Sequence, residues 1–222
     1  MNARAYLAEL LGTFLFMTIG YSSVATFGAA SVPGLLVVPF SFGFGLLAAI
    51  FAFGHVSGAH YNPAVTVAIV LDGRLPAVEA VGYIIAQVIG AIGAAAVVLL
   101  TIGQSAVAAG VTKPGQGISD VSALALEIVF TAIFIVVILS STKRAPALAP
   151  LAIPLTLVAI HFAIASLSGS SVNPARSIGS ALVGGNVTGL WIYLVGPIIG
   201  GAIGAGVYRV AADNPRDEVV VA

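Results

Sequence analysis

The sequence predicts an all-α integral membrane protein with six transmembrane helices, two re-entrant half-helices and an inverted internal repeat. Three observations predict it. Charged residues make up only 7% of the 222, against roughly 25% in a soluble domain, so the chain cannot dress a water-facing surface. Apolar residues reach 59% before the 26 glycines are counted, and six apolar stretches each approach the roughly 20 residues a helix needs to cross hydrocarbon. A polar, turn-rich motif occurs twice inside apolar sequence, at positions 111 residues apart.

The six stretches run from about 5 to 27, 35 to 54, 78 to 102, 119 to 141, 147 to 167 and 188 to 210. Asp72-Gly73-Arg74-Leu75-Pro76, Lys113-Pro114-Gly115-Gln116-Gly117 and Thr142-Lys143-Arg144-Ala145-Pro146 read as connecting loops. No clear small-residue cleavage site follows the first apolar run, which is therefore read as a span and not as a leader. A net charge of zero without a Lys/Arg cluster gives no field for phosphate backbones, so nucleic acid is not an expected partner. The chain has no cysteine and hence no disulfide. If the spans alternate sides, Arg4, Arg74, Lys143, Arg144, Arg209 and Arg216 fall on one side and Lys113 on the other. Positive charge marks the cytoplasmic side, which places both termini in the cytoplasm, with 211–222 as a short solvated tail.

Two segments fall outside the six spans. Ser57-Gly58-Ala59-His60-Tyr61-Asn62-Pro63-Ala64 and Ser168-Gly169-Ser170-Ser171-Val172-Asn173-Pro174-Ala175 each introduce an apolar run, ending near Val70 and Val183. Such runs make roughly 13 to 16 Å of helix, too short to cross a bilayer and too apolar for water. Two half-helices entering from opposite faces and ending near the midplane resolve the conflict. Glu9 and Glu127 lie 118 residues apart, and Pro39 and Pro150 lie 111 apart. Three full spans separate equivalent points of the two copies, and an odd number inverts the second copy.

Asn is a preferred N-cap and Pro a preferred first helical residue, so Asn62-Pro63-Ala64 and Asn173-Pro174-Ala175 read as helix starts. Inverted symmetry sets the two starts head to head, and both positive dipole ends face one point in mid-membrane, where a cation or proton is repelled. The asparagine amides can cap backbone N–H groups through oxygen and offer N–H to a passing molecule. Asn214-Pro215, in the charged tail, lacks the Ser-Gly approach, the following Ala and the apolar setting, and carries no such meaning.

On these two boxes and their inverted arrangement, residues 1–210 resemble the major intrinsic protein family of aquaporins and glycerol facilitators. The resemblance implies an aquaporin-like, right-handed six-span bundle with a pore in each protomer of a homotetramer. The chain is then one channel domain over 1–222, with halves of about 1–110 and 111–212. The resemblance also implies a selectivity filter of Phe42, His161, Ser170 and Arg176. Phe, His and Arg together resemble water channels, since glycerol facilitators tend to carry a small residue where His161 stands. Ser177 after Arg176, and Ala181, agree with the water type, whereas Leu194 after Tyr193 departs from it. Ser170 is also smaller than many counterparts, which points to a slightly roomier filter.

Arg176 is costly at membrane depth and needs a wet cavity. His60, two residues before Asn62, is expected either to line the pore vestibule or to hold its loop; His55 is expected to be structural. By resemblance the buried carboxylates of Glu9 and Glu127 accept hydrogen bonds from the re-entrant loops. Gly196, Gly200 and Gly204, with a weaker echo in Gly90 and Ala94, let helices approach closely. The expected function is passive, single-file permeation of water with exclusion of protons and cations, in a lipid bilayer, with prokaryotic plasma membrane as the expected location. The alternatives are a facilitator for glycerol or other small neutral solutes and, from the paired carboxylates, a proton-coupled secondary transporter. No cofactor, metal or enzymatic step is expected.

Overall fold

The structure is a computed structural model that describes residues 2–28 and 31–211. The tail beyond Ala211, with Arg216 and Asn214-Pro215, lies outside the described residues. All regular structure among the described residues is helical, in the order α1 Ala3–Phe27, α2 Val32–Ser57, α3 Pro63–Leu71, α4 Ala77–Thr101, α5 Gln104–Ala109, α6 Asp120–Arg144, α7 Ala149–Ser168, α8 Pro174–Gly184 and α9 Leu190–Ala211. Six of these, α1, α2, α4, α6, α7 and α9, are long and apolar enough to cross a membrane.

The two short helices are the expected half-helices, of 9 and 11 residues. Two stretches differ from the sequence reading. Thr142, Lys143 and Arg144, expected in a loop, form the last turn of α6, where basic side chains complement the negative end of the helix dipole. The connection between the third and fourth spans contains the short helix α5, whose six residues are too few to give a periodic signal.

Large apolar side chains stand on the outer surface while several polar and charged ones are buried. Leu100, Val121 and Phe51 are among the most exposed side chains, while Glu9, Gln87, Glu127, His161 and Arg176 are buried. Such an arrangement suits lipid as the surrounding solvent. In the first half α1 packs on α2 and α4; in the second, α6 packs on α7 and α9. Each half-helix also packs against the other half, α3 on α9 and α8 on α4. The α6–α9 crossing depends on the glycine row: a Cβ on Gly200 would stand 2.3 Å from the Ile128 carbonyl oxygen, and one on Gly204 2.6 Å from that of Ala132. Gly90 plays the matching part where α4 crosses α1, a Cβ there falling 2.5 Å from the Leu10 carbonyl.

Both described ends of the chain lie at the same face as Arg74. The Asn2 amide reaches the Glu79 carboxylate at 3.3 Å, and the Arg209 guanidinium donates to the Leu71 carbonyl, the C-terminal end of α3, at 2.7 Å.

Candidate functional site

Each re-entrant segment begins where a long helix ends in left-handed glycine, Gly58 after α2 and Gly169 after α7. The chain then adopts positive φ at two non-glycine residues, Ala59 (57°) and Tyr61 (49°) in one copy and Ser170 (45°) and Val172 (43°) in the other. Residues so placed cost on the order of 1 to 3 kcal/mol each and persist only where their surroundings hold them.

The two buried carboxylates supply that hold. Glu9 accepts from the Ser57 hydroxyl (2.6 Å) and the backbone N–H groups of His60 (2.9 Å) and Tyr61 (2.7 Å). Glu127 accepts from the Ser168 hydroxyl (2.8 Å) and the N–H groups of Ser171 (2.9 Å) and Val172 (2.7 Å). With the amides drawn outward, no protein donor among the described residues reaches the carbonyls of Gly58, Ala59 and His60, or of Gly169, Ser170 and Ser171.

The surroundings of the two carboxylates differ at Gln87. Gln87 of α4 donates to Glu9 (2.7 Å) and to Thr66 (2.9 Å), and Thr66 lies 3.1 Å from His60 Nδ1. Nothing in the repeat marked Gln87, because its partners come from α1 and α3.

The half-helix starts meet through reciprocal hydrogen bonds. Asn62 Oδ1 accepts from Ala64 N at 2.9 Å, and its Nδ2 donates across to the Val172 carbonyl at 2.8 Å. Asn173 Oδ1 accepts from the N–H groups of Ala175 (3.0 Å) and Arg176 (3.3 Å), and its Nδ2 donates to the Tyr61 carbonyl at 2.9 Å. Each amide thus spends one N–H on the opposite loop and keeps a second. Pro63, Ala64, Pro174 and Ala175 are buried at the junction.

Two cavities run from this centre and its surroundings. One, of about 640 Å³, reaches from Arg74, Thr142 and Pro146 past His60, Asn62 and Asn173. The other, of about 950 Å³, opens beside Lys113 and Gln116. Three residues line both: Phe42, His161 and Arg176. Their rings and guanidinium are close, with Phe42 and His161 stacked at 4.9 Å between centroids and the Arg176 guanidinium carbon 5.5 Å from the Phe42 ring centre.

His161 Nδ1 lies 2.9 Å from the Leu157 carbonyl and must donate to it, so Nε2 of the neutral ring is an acceptor; it has no partner among the described residues. Arg176 donates through Nη1 to the Gly110 carbonyl at 2.7 Å and, at 3.5 Å, to the Ser180 hydroxyl, while its Nε has no partner among the described residues. Tyr21 fixes the backbone beneath, donating to the Arg176 carbonyl at 2.5 Å.

The remaining expected residues fall as follows. Ser170 is buried with its hydroxyl unpartnered, and its side chain is not among those lining either cavity. His60 lines the larger-reaching cavity and is also bonded into its loop, so the two readings of it coexist. His55, expected to be structural, is instead exposed in the last turn of α2, where it lines the Arg74 end of that cavity. Tyr21, Gln87 and the Gly110 carbonyl were not foreseen; a backbone acceptor leaves no mark in sequence.

Fold and site together describe an integral membrane protein in which the starts of two half-helices meet and three residues line both of two cavities. The chain belongs to the major intrinsic protein family, whose model matches residues 1–208. It is 42% identical to Aquaporin Z of Rhodopseudomonas palustris over 236 aligned residues, covering 99% of this chain and 98% of the relative. It is 43% identical to Aquaporin Z of Photorhabdus laumondii, covering 93% and 96%. Among solved structures, the aquaglyceroporin from Plasmodium falciparum superposes with a TM-score of 0.87 at 23% identity, covering 95% of this chain and 97% of that one, a likeness of fold.

Proposed function

We propose that this chain is a passive, bidirectional water channel. The observation that carries the reading is the constriction: the only side chains shared by the two cavities among the described residues are Phe42, His161 and Arg176. A molecule crossing there passes an apolar ring and the side chains of His161 and Arg176, each of which holds a buried polar atom without a protein partner among the described residues, an acceptor at His161 Nε2 and a donor at Arg176 Nε. Water can donate to the one and accept from the other. A three-carbon polyol brings methylene groups that the paired His and Arg disfavour.

In this reading Phe42, His161 and Arg176 form the selectivity filter, and Ser170 contributes through its backbone rather than its buried hydroxyl. Asn62 and Asn173 offer their second N–H to the water file at the junction. The N-termini of α3 and α8 make that centre electropositive, and Arg176 adds a second barrier to cations and protons. Glu9 and Glu127 hold the strained loops so that free carbonyls line the file. His60 lines the vestibule on the Arg74 side. No bond is made or broken.

The same reading makes the chain one channel domain with halves of about 1–110 and 111–212. It places the Arg74 face and both termini in the cytoplasm of a bacterial cell, and the protein in its plasma membrane as a homotetramer. Relatives named Aquaporin Z from bacteria support the water reading and the setting.

Stopped-flow light scattering on proteoliposomes tests the function. A sucrose gradient should produce fast shrinkage over protein-free vesicles. A glycerol gradient should produce the same shrinkage without rapid re-swelling; rapid re-swelling would make the chain a solute facilitator.

A further inference from the structure

The shorter of the two hydrogen bonds of the Arg176 guanidinium comes from outside the half-helices, to the carbonyl of Gly110 in the segment after α5 at 2.7 Å; the longer, 3.5 Å, reaches Ser180 within α8. That carbonyl is only as well placed as its segment. Residues 110–115 are fastened to α7 and α8 at two further points: the Gly115 N–H donates to the Leu167 carbonyl at 2.8 Å, and the Thr112 hydroxyl lies 2.7 Å from that of Ser177. Thr112 is buried, two residues from Gly110, and Ser177 directly follows Arg176.

The hydroxyls form a chain whose direction follows from proton accounting. The Asn173 carbonyl can only accept, and Ser171 Oγ lies 2.9 Å from it, so Ser171 donates there. Ser177 then donates to Ser171 across 2.7 Å, and Thr112 donates to Ser177. The Thr112 hydroxyl is therefore the free end of the chain. Removing it takes away one hydrogen bond and leaves the Ser177–Ser171–Asn173 links, and the junction of the half-helices, intact.

We propose that Thr112 is a positioning residue for the filter. Through Ser177 it fixes the Gly110 carbonyl against α8, and so holds the Arg176 guanidinium at the constriction where it narrows the pore. This rests on the filter reading above and adds to it a residue in the wall of the Lys113-side cavity that is not one of the three shared by both cavities.

The test is the ratio of glycerol to water permeability in proteoliposomes of T112V, T112S, R176V and the unaltered protein. Loss of one buried hydrogen bond shifts a local equilibrium by about three- to tenfold, and T112V should raise the ratio by that order. T112S, which keeps the hydroxyl, should restore it, an outcome that altered packing alone would not produce. Should T112V fail to assemble, T112A removes the same hydroxyl, leaves the Ser177–Ser171 link in place and is read in the same way. An unchanged ratio in T112V, with R176V raised, would overturn the role of Thr112 and leave the filter standing. An unchanged ratio in R176V would overturn the filter reading and the proposal with it.

Discussion

Replacing Glu127 with Gln exchanges one acceptor oxygen for an NH2 group at a site where every partner is a donor. Oε1 receives the Ser168 hydroxyl and the Ser171 N–H, and Oε2 receives the Val172 N–H. The less damaging orientation of the amide keeps oxygen toward the first two and turns NH2 toward Val172, so donor meets donor. A hydrogen bond to a charged acceptor is worth about 1.5 to 3 kcal/mol, and an orphaned buried N–H costs about 1 to 3 more.

Burying a neutral amide instead of a carboxylate recovers part of this through cheaper desolvation, leaving an expected loss of about 2 to 4 kcal/mol. The loss falls on Val172, whose φ of 43° has little else to hold it and whose carbonyl receives Asn62. E127Q should therefore lower the thermal unfolding midpoint in detergent and reduce water permeability together. Stability equal to the unaltered protein would refute the bracing role. Intact stability with loss of flux alone would make the carboxylate a transport group, as would uphill accumulation of any solute.

Further outcomes follow from close contacts and from the filter. G200A places a Cβ 2.3 Å from the Ile128 carbonyl and 2.8 Å from Thr131 Cβ, so α9 must move off α6; a loss of about 1 to 3 kcal/mol is expected from overpacking, read as a lowered unfolding midpoint. H161G removes the ring stacked on Phe42 and should raise glycerol permeability on the order of tenfold, the effect of lowering a barrier by about 1.4 kcal/mol, measured by re-swelling of proteoliposomes.

How much of this was legible in sequence depends on where each signal resides. The half-helix starts were legible because capping is local: Asn followed by Pro announces a helix whatever surrounds it. Glu9 and Glu127 were legible because duplication sets a second copy beside the first. The six spans were legible from composition, yet the end of α6 was misplaced, since Lys143 and Arg144 suit a helix C-terminus as well as a loop.

The two shortest contacts of Arg176 were hidden because they come from distant chain, Tyr21 across 155 residues and the Gly110 carbonyl across 66. The alternation of left-handed residues at Ala59, Tyr61, Ser170 and Val172 was equally hidden. None of the four is a residue type that announces positive φ, and they adopt it because two carboxylates pull the neighbouring amides.

The central claim is that one electropositive junction passes water and rejects protons. It is tested most directly by measuring osmotic water flux and proton flux on the same proteoliposomes, the second with an internal pH dye and a valinomycin-clamped potential. The account predicts fast water movement with proton entry no greater than in protein-free vesicles. Proton entry that rises in step with water permeability would contradict it.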